Sequence, residues 1–287
     1  MEQGTPIQVI YHSSAGELTM PSHFHFSHEL IFVAQGRARF TVAGRRYEAG
    51  PGCLVLINHF EHHALEALEY PYARYYVLIR PERLSAAVGS PVLESVFRHR
   101  PAGFRHMVAL GGETRAAVQK LIERMYLEYA DRPDFWDASL QSLTRLLLIR
   151  LYRSCPASFP AAQNTDAARL VLRVQKYLDA HFCEAPALAD VAGAFYISRC
   201  HLSRLFKSVT GFGFKEYLDL LRLARAKELL FYSQQSVTRV AAACGFGSVS
   251  QFIRVFREKE GVTPLQYRKK AAAETAMPAE GERPAAE

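Results

Sequence analysis

The 287-residue chain is predicted to be an α+β multidomain protein. Its N-terminal half reads as a small β-barrel or jelly roll backed by a helical pair, and its C-terminal part as an all-α domain with two helix-turn-helix motifs. Three observations predict this. Between Ile7 and Met107, short apolar runs are broken by Gly and Pro at the spacing of strands and turns. After Gly112 the apolar residues recur at helical spacing. Charge is also unevenly placed: residues 167–270 carry 17 Lys+Arg against 8 Asp+Glu, whereas residues 1–166 carry 17 against 16. A basic excess confined to one segment suits phosphate neutralisation. With 49% hydrophobic and 22% charged residues, the chain is long enough and apolar enough for two cores.

In order, Glu29–Ala34 is a strand closed by Gln35-Gly36, and Arg37–Val42 an alternating strand that turns at Ala43-Gly44. Arg46–Glu48 leads to a turn at Ala49–Gly52. Cys53–Ile57 and Arg74–Arg80 are buried-type runs. Glu113–Tyr129 and Phe135–Arg153 then read as helices separated by the breaker DRPD. Leu140, Leu143, Leu147 and Leu151 form one stripe, widened by Leu146 and Leu148, which packs on the barrel, on a second copy of the chain, or on both. Cys155–Asp166, with two prolines and no apolar period, reads as a linker, and Ala167–Phe182 as an amphipathic helix. The expected domains are 1–112 (an effector-sensing barrel), 113–154 (a helical dimerisation or support segment), 155–166 (linker), 167–270 (the helix-turn-helix domain) and 271–287 (a disordered acidic tail).

The helix-turn-helix domain holds the clearest chemistry. In each unit a short small-residue helix precedes a longer one that opens at Ser198 or Ser248, good N-cap residues. Leu202, Leu205, Phe206 and Val209 in the first, and Phe252, Val255 and Phe256 in the second, form an apolar back. The opposite faces carry Arg, Lys, Gln and Ser, which suits a DNA major groove. Between the units, Phe214–Phe231 forms an 18-residue helix spanning ~27 Å, close to the ~34 Å of one DNA turn, so one molecule can address two groove segments.

From Leu170 to Lys270 the chain resembles the AraC/XylS family of bacterial transcription regulators. The resemblance is carried by LADVA, by S-x-x-x-L-x-R-x-F-K at Ser198–Lys207, by VAAACGF at Val240–Phe246, by S-x-F-x-R-x-F at Ser250–Phe256 and by G-V-T-P-x-x-Y-R at Gly261–Arg268. It implies base contacts from Cys200, Ser203 and Arg204 in the first unit and from Val249, Ser250, Gln251 and Arg254 in the second. Arg199 and Lys207 would lie nearer phosphates, and Ser248 would cap its helix and touch the DNA backbone. Tyr196, in the first tight turn, departs from the smaller or polar residues usual there.

Six of the eleven histidines fall between His23 and His63. If the segment is one extended strand, His23, His25 and Glu29 share a face and His28 points away. The order H-x-H-x-x-x-E ending at Gly36, with Gly52 and His63 farther on, resembles the two motifs of the cupin superfamily, although Asn58 and Phe60 replace its usual Pro and Gly. The resemblance implies a cupin-like barrel in which His23, His25, Glu29 and His63 hold Zn, Fe, Mn, Ni or Cu. The other use of these residues is to line a pocket for an organic ligand.

The function expected is a sequence-specific DNA-binding regulator, an activator by the family's habit, controlled by a small-molecule or metal effector and not an enzyme. Expected partners are a double-stranded DNA operator, RNA polymerase and a second copy of the chain. The competing functions are a metal-dependent cupin enzyme fused to a DNA-binding domain and an effector-independent DNA binder. Five scattered cysteines without CxxC suit a reducing compartment, and no leader pattern or membrane-length apolar run is present, so the cytoplasm is the expected location and no membrane a partner.

Overall fold

The computed structural model describes residues 7–25, 27–101, 103–160 and 166–275. Two compact units divide between Asp166 and Ala167. Among the described residues no helix is long and apolar enough to cross a membrane.

The first unit is a seven-stranded antiparallel sheet curled into a cupin-like roll: β1 (Ile7–Ser14), β2 (Thr19–His23), β3 (His28–Val42), β4 (Arg45–Ala49), β5 (Cys53–Ile57), β6 (His63–Ile79) and β7 (Met107–Ala109). The order is β1-β6-β3-β5-β7, with β2 on β6 and β4 on β3. The two longest strands, β3 and β6, pair along their whole length and bend together: the register slips around Gln35 and Arg37, opposite Glu69 and Ala73. The Gln35-Gly36 pair read as a turn is therefore a bend inside one continuous strand. Gly36 permits it at φ +70, and a Cβ there would collide with the carbonyl oxygens of Glu69 and Pro71.

Both faces of the sheet are covered, which explains why its strands read as continuous apolar runs. Leu30, Phe32, Leu54, Leu56, Tyr75 and Val77 face a layer of helices. Ile31, Val33, Val55, Ile57, Leu65 and Tyr72 face the interior of the roll. The helical layer is α1 (Pro81–Val88), α2 (Pro91–Arg98), α3 (Gly112–Asp131) and α4 (Trp136–Ser154). Helices α1 and α2 were not expected from apolar periodicity. Their signal was the cap chemistry: Pro81 and Pro91 sit in the first turn, and Gly89 closes α1 at φ +68. A buried ion pair, Arg98 Nε to Glu94 Oε2 at 3.3 Å, stiffens α2, and Ser85 donates to the same carboxylate across from α1. In the α4 stripe, Leu140, Leu147, Leu148 and Leu151 are buried in the core that the helical layer shares with the sheet, while Leu146 remains exposed.

The second unit is all α: α5 (Asp166–His181), α6 (Leu188–Ala194), α7 (Arg199–Thr210), α8 (Phe214–Tyr232), α9 (Val237–Ala243), α10 (Val249–Glu260) and α11 (Pro264–Thr275). Helix α8 is the shared spine. Phe206 of α7 packs against Phe214 and Tyr217 of α8, with ring centroids 5.8 and 5.1 Å apart. Leu223, Ala226 and Leu230 farther along form one core with Val240, Phe246, Phe252 and Phe256 of the second helix-turn-helix. The backbone of α11 runs to Thr275, five residues past the expected end of the domain, because Ala271-Ala272-Ala273-Glu274 is strong helix-forming sequence. The expected disordered tail otherwise lies outside the described residues, as does the 161–165 part of the expected linker.

Candidate functional sites

The two helix-turn-helix units are built alike. Helices α7 and α10 each have twelve residues. Ser198 accepts a hydrogen bond from the His201 amide at 3.3 Å, and Ser248 from the Gln251 amide at 3.1 Å. Each helix ends on a glycine in the left-handed region, Gly211 and Gly261. Leu202 and Phe206 on α7, and Phe252, Val255 and Phe256 on α10, are buried, so the opposite faces must point outward.

On α7, Arg199, Cys200, Ser203, Arg204 and Lys207 are all exposed on that outward face. On α10, Ser250 and Arg254 are exposed, Gln251 is half-buried, and Ser248 is the exposed N-cap. Val249 differs from the rest: it is half-buried and packs on the core of the second unit, which leaves only part of its side chain for a base. Arg254 approaches Glu258 at 3.7 Å, but both side chains are about two-thirds exposed, so the pair does not hold the guanidinium back from a phosphate or base.

Side chains outside the expected DNA-facing set fix these helices in place. Nineteen residues give α8 a length of ~28 Å. Lys227 on α8 pairs with Glu260 at the end of α10 at 3.0 Å, and Lys259 reaches Glu216 at 3.5 Å. After Gly261, Thr263 and Gln266 form a reciprocal capping box in which the Thr263 amide donates to Gln266 Oε1 (2.9 Å) and the Gln266 amide to Thr263 Oγ1 (3.3 Å). Tyr267 then packs on Phe256, and Arg268 donates to the carbonyls of Gln235 (2.6 Å) and Leu230 (3.2 Å). In the turn of the second unit Gly245, at φ +77, lies against the backbone of Cys183.

In the first unit, His23, His25 and His63 converge although they do not share a strand. His23 ends β2, His25 lies in the following loop, Glu29 is on β3 and His63 opens β6. The single extended strand assumed from sequence is therefore broken, and the pairing of His23 with His63 across β2 and β6 brings the residues together instead. Ligand atoms of the three histidines all lie within 4.8 Å of one another. Glu29 stands behind them, with its Oε2 at 3.1 Å from His25 Nε2 and 3.3 Å from His63 Nε2.

The surroundings fit a transition metal. His23 Nδ1 and His63 Nδ1 each sit 2.9 Å from a backbone carbonyl, those of Pro21 and Glu61. Such bonds fix the tautomer and leave Nε2 as the lone-pair donor, the usual outer-shell arrangement of metal-binding histidines. Burial alone would raise the Glu29 carboxyl, but its hydrogen bond with His25 and the charges of His25, His63 and Arg74 hold it down at about 2. Burial lowers His63 to about 4. An ionised Glu29 beside a neutral His63 suits the protonation state that a divalent ion requires.

The other histidines of the stretch do different work. His62 is exposed beside Phe24. His28 and His59 are buried outside the cluster with their Nδ1 atoms 3.4 Å apart, and burial, then nearby positive charge, sets both well below 6.5. Both are therefore neutral in the fold, while the unfolded chain takes up protons near pH 6.5. Stability from this pair is complete above pH 6.5 and is lost as pH falls below it, by up to about 1.4 kcal/mol per pH unit for each histidine. Thermal melts in chelator from pH 7.5 to 5.5 should show the first unit losing stability below pH 6.5. A flat profile rules out the neutral pair.

A buried polar network, not foreseen from sequence, lies next to this stretch. Glu61 binds Arg100 (2.5 Å), His106 (3.0 Å) and the Asn58 amide (2.7 Å), and Tyr47 lies 3.0 Å from His106. It ties the loop before His63 to the segment after α2. No motif spacing marks it, because its members are spread over 60 residues.

A basic all-α unit that presents two capped helices, with a roll that gathers three histidines, defines a DNA-binding regulator carrying a ligand-binding domain. Comparison with known proteins agrees. Residues 7–148 match the AraC-like ligand binding domain, and residues 191–270 match a helix-turn-helix domain. The chain is 28% identical over 250 residues to the HTH-type transcriptional activator RhaS of Escherichia fergusonii, covering 86% of this chain and 87% of that one. It is 26% identical over 264 residues to RhaS of Yersinia pestis, covering 91% and 93%. Among solved structures, an apo variant of ToxT from Vibrio cholerae aligns with a TM-score of 0.58 at 14% identity over 94% of this chain and 99% of its own, a likeness of fold. The chain belongs to the AraC family of transcriptional regulators.

Proposed function

We propose that this chain is an effector-controlled transcription activator of the cytoplasm, without turnover of its own, that binds its operator through α7 and α10 together. The carrying observation is that both recognition helices are anchored to one helix, α8, whose ~28 Å length approaches the ~34 Å repeat of DNA. Arg204 and Arg254 are assigned to guanine, Gln251 to adenine and part of Val249 to a thymine methyl, with Cys200, Ser203 and Ser250 at base edges and Arg199, Lys207 and Ser248 at phosphates. The activator names of the RhaS relatives support the sign of regulation and contact with RNA polymerase. Exposed Leu146 on α4 and Leu127 on α3 support a second copy of the chain docking on the helical layer. His23, His25, His63 and Glu29 are assigned to a divalent transition metal as effector or structural ion.

The test is operator selection from a random DNA pool followed by footprinting. Two protected segments on one face of the duplex are expected. Arg254→Ala should weaken the selected site by about 1–3 kcal/mol and relax one base position. Equal loss on selected and random DNA would make Arg254 a phosphate contact.

A further inference from the structure

We propose that the interior of the roll takes an organic carboxylate, and that Arg74 is its anchor. This rests on the reading of the first unit as a ligand-binding domain and names the chemical class of the ligand. Arg74 lies midway along β6, between Tyr72 and Tyr76, on the face that looks into the roll. It pairs in register with Val33 of β3 and His12 of β1. Only 5% of it is exposed. Among the described residues no carboxylate comes within ion-pair distance. Its Nη2 reaches Met20 Sδ at 3.0 Å, a weak acceptor, the neighbouring Tyr72 hydroxyl is its other polar contact, and its buried Nη1 makes no well-aligned hydrogen bond.

A buried guanidinium without an ion-pair partner in contact is costly, and a bound anion can supply one. The neighbourhood indicates what that is. The guanidinium carbon lies 5.6 Å from the centroids of both tyrosine rings, so flat aromatic walls flank it. Directly across the ladder, His12 Nδ1 is a second buried polar atom without a partner. Beyond these groups the lining is apolar: Ile31, Val33, Phe40, Leu65 and partly buried Leu18. A fork of N–H donors set among otherwise apolar inward-facing side chains suits a planar carboxylate joined to an apolar body. Glu29, the acid on this face, feels the Arg74 charge at a distance, but its Oε2 lies on His25 and His63 and it makes no ion pair with Arg74.

The test uses full-length, untagged protein in thermal-shift and calorimetric titrations with hexanoate and phenylacetate, each against its amide. Expected are saturable stabilisation by both acids, at least tenfold weaker effects from hexanamide and phenylacetamide, and at least tenfold loss of acid affinity in Arg74→Met, with partial recovery in Arg74→Lys. Amides as effective as acids, undiminished acid binding in Arg74→Met, or no acid binding by wild type would each overturn the assignment. If metal or neutral compounds stabilise the wild type while acids do not, the ligand-binding reading stands and this one falls. If nothing binds, both fall.

Discussion

Gly245→Val is expected to abolish DNA binding by unfolding the second unit rather than by touching DNA. Gly245 occupies the turn between α9 and α10 at φ +77, a conformation that a β-branched residue adopts only with strain. Any Cβ there would also collide with the Cys183 backbone, and neither partner is a flexible side-chain end that can swing aside. Strain of ~1–3 kcal/mol and overpacking of ~1–3 kcal/mol add to a large part of the stability of a domain this size. The loss should spread, because Phe246 belongs to the core shared by α8, α9 and α10. Circular dichroism melts should show the second unit melting early or already unfolded, with the first unit's transition unchanged. A Gly245→Val protein that melts like wild type yet fails to bind DNA would mean that the turn itself contacts the duplex.

The second large effect is expected at the histidine cluster. Untagged protein loaded with zinc and passed through a desalting column should retain about one equivalent, and His25→Ala or His63→Ala should retain almost none. Losing a direct ligand should cost more than the ~10–100-fold typical of an outer-shell partner. Glu29→Gln keeps the shape and removes the charge, so it should fall between the extremes. Retention of zinc by the double variant His25→Ala/His63→Ala would place the ion elsewhere, and failure of wild type to retain zinc, iron, manganese, nickel or copper would remove the site.

The chain revealed its chemistry unevenly. The second unit was legible almost residue by residue, because its signals are local: serine caps, glycine stops and helical spacing all act within one turn of chain. The GVTPLQYR string is a clear case, since Gly261 ends one helix, the Thr263–Gln266 capping box starts the next, and Tyr267 and Arg268 staple it to α8. In the first unit β5 was read to the residue, while β3 was cut in two at a glycine that bends a strand without ending it. The convergence of His23, His25 and His63 followed from motif order, but the route to it did not, since strand pairing did what strand parity was expected to do. Arg74 and the Glu61 network left no trace in the sequence. A buried arginine looks like any other arginine until the ladder fixes which face it occupies.

Strand β6 borders two surroundings. Its beginning supplies His63 to the histidine cluster, and its far half places Arg74 inside the roll and Tyr75 outside, where Tyr75 meets Tyr11 and Tyr126 of α3 at 4.8 and 5.9 Å. Because β3 flanks one edge and β1 and β2 the other, sliding β6 by one residue would exchange inner and outer side chains along its whole length. A ligand seated in the interior would therefore not signal by slippage; the route open to it is a tilt of the strand at the bend by Gly36 and Glu69–Pro71, with Tyr126 of α3 in contact on the other face.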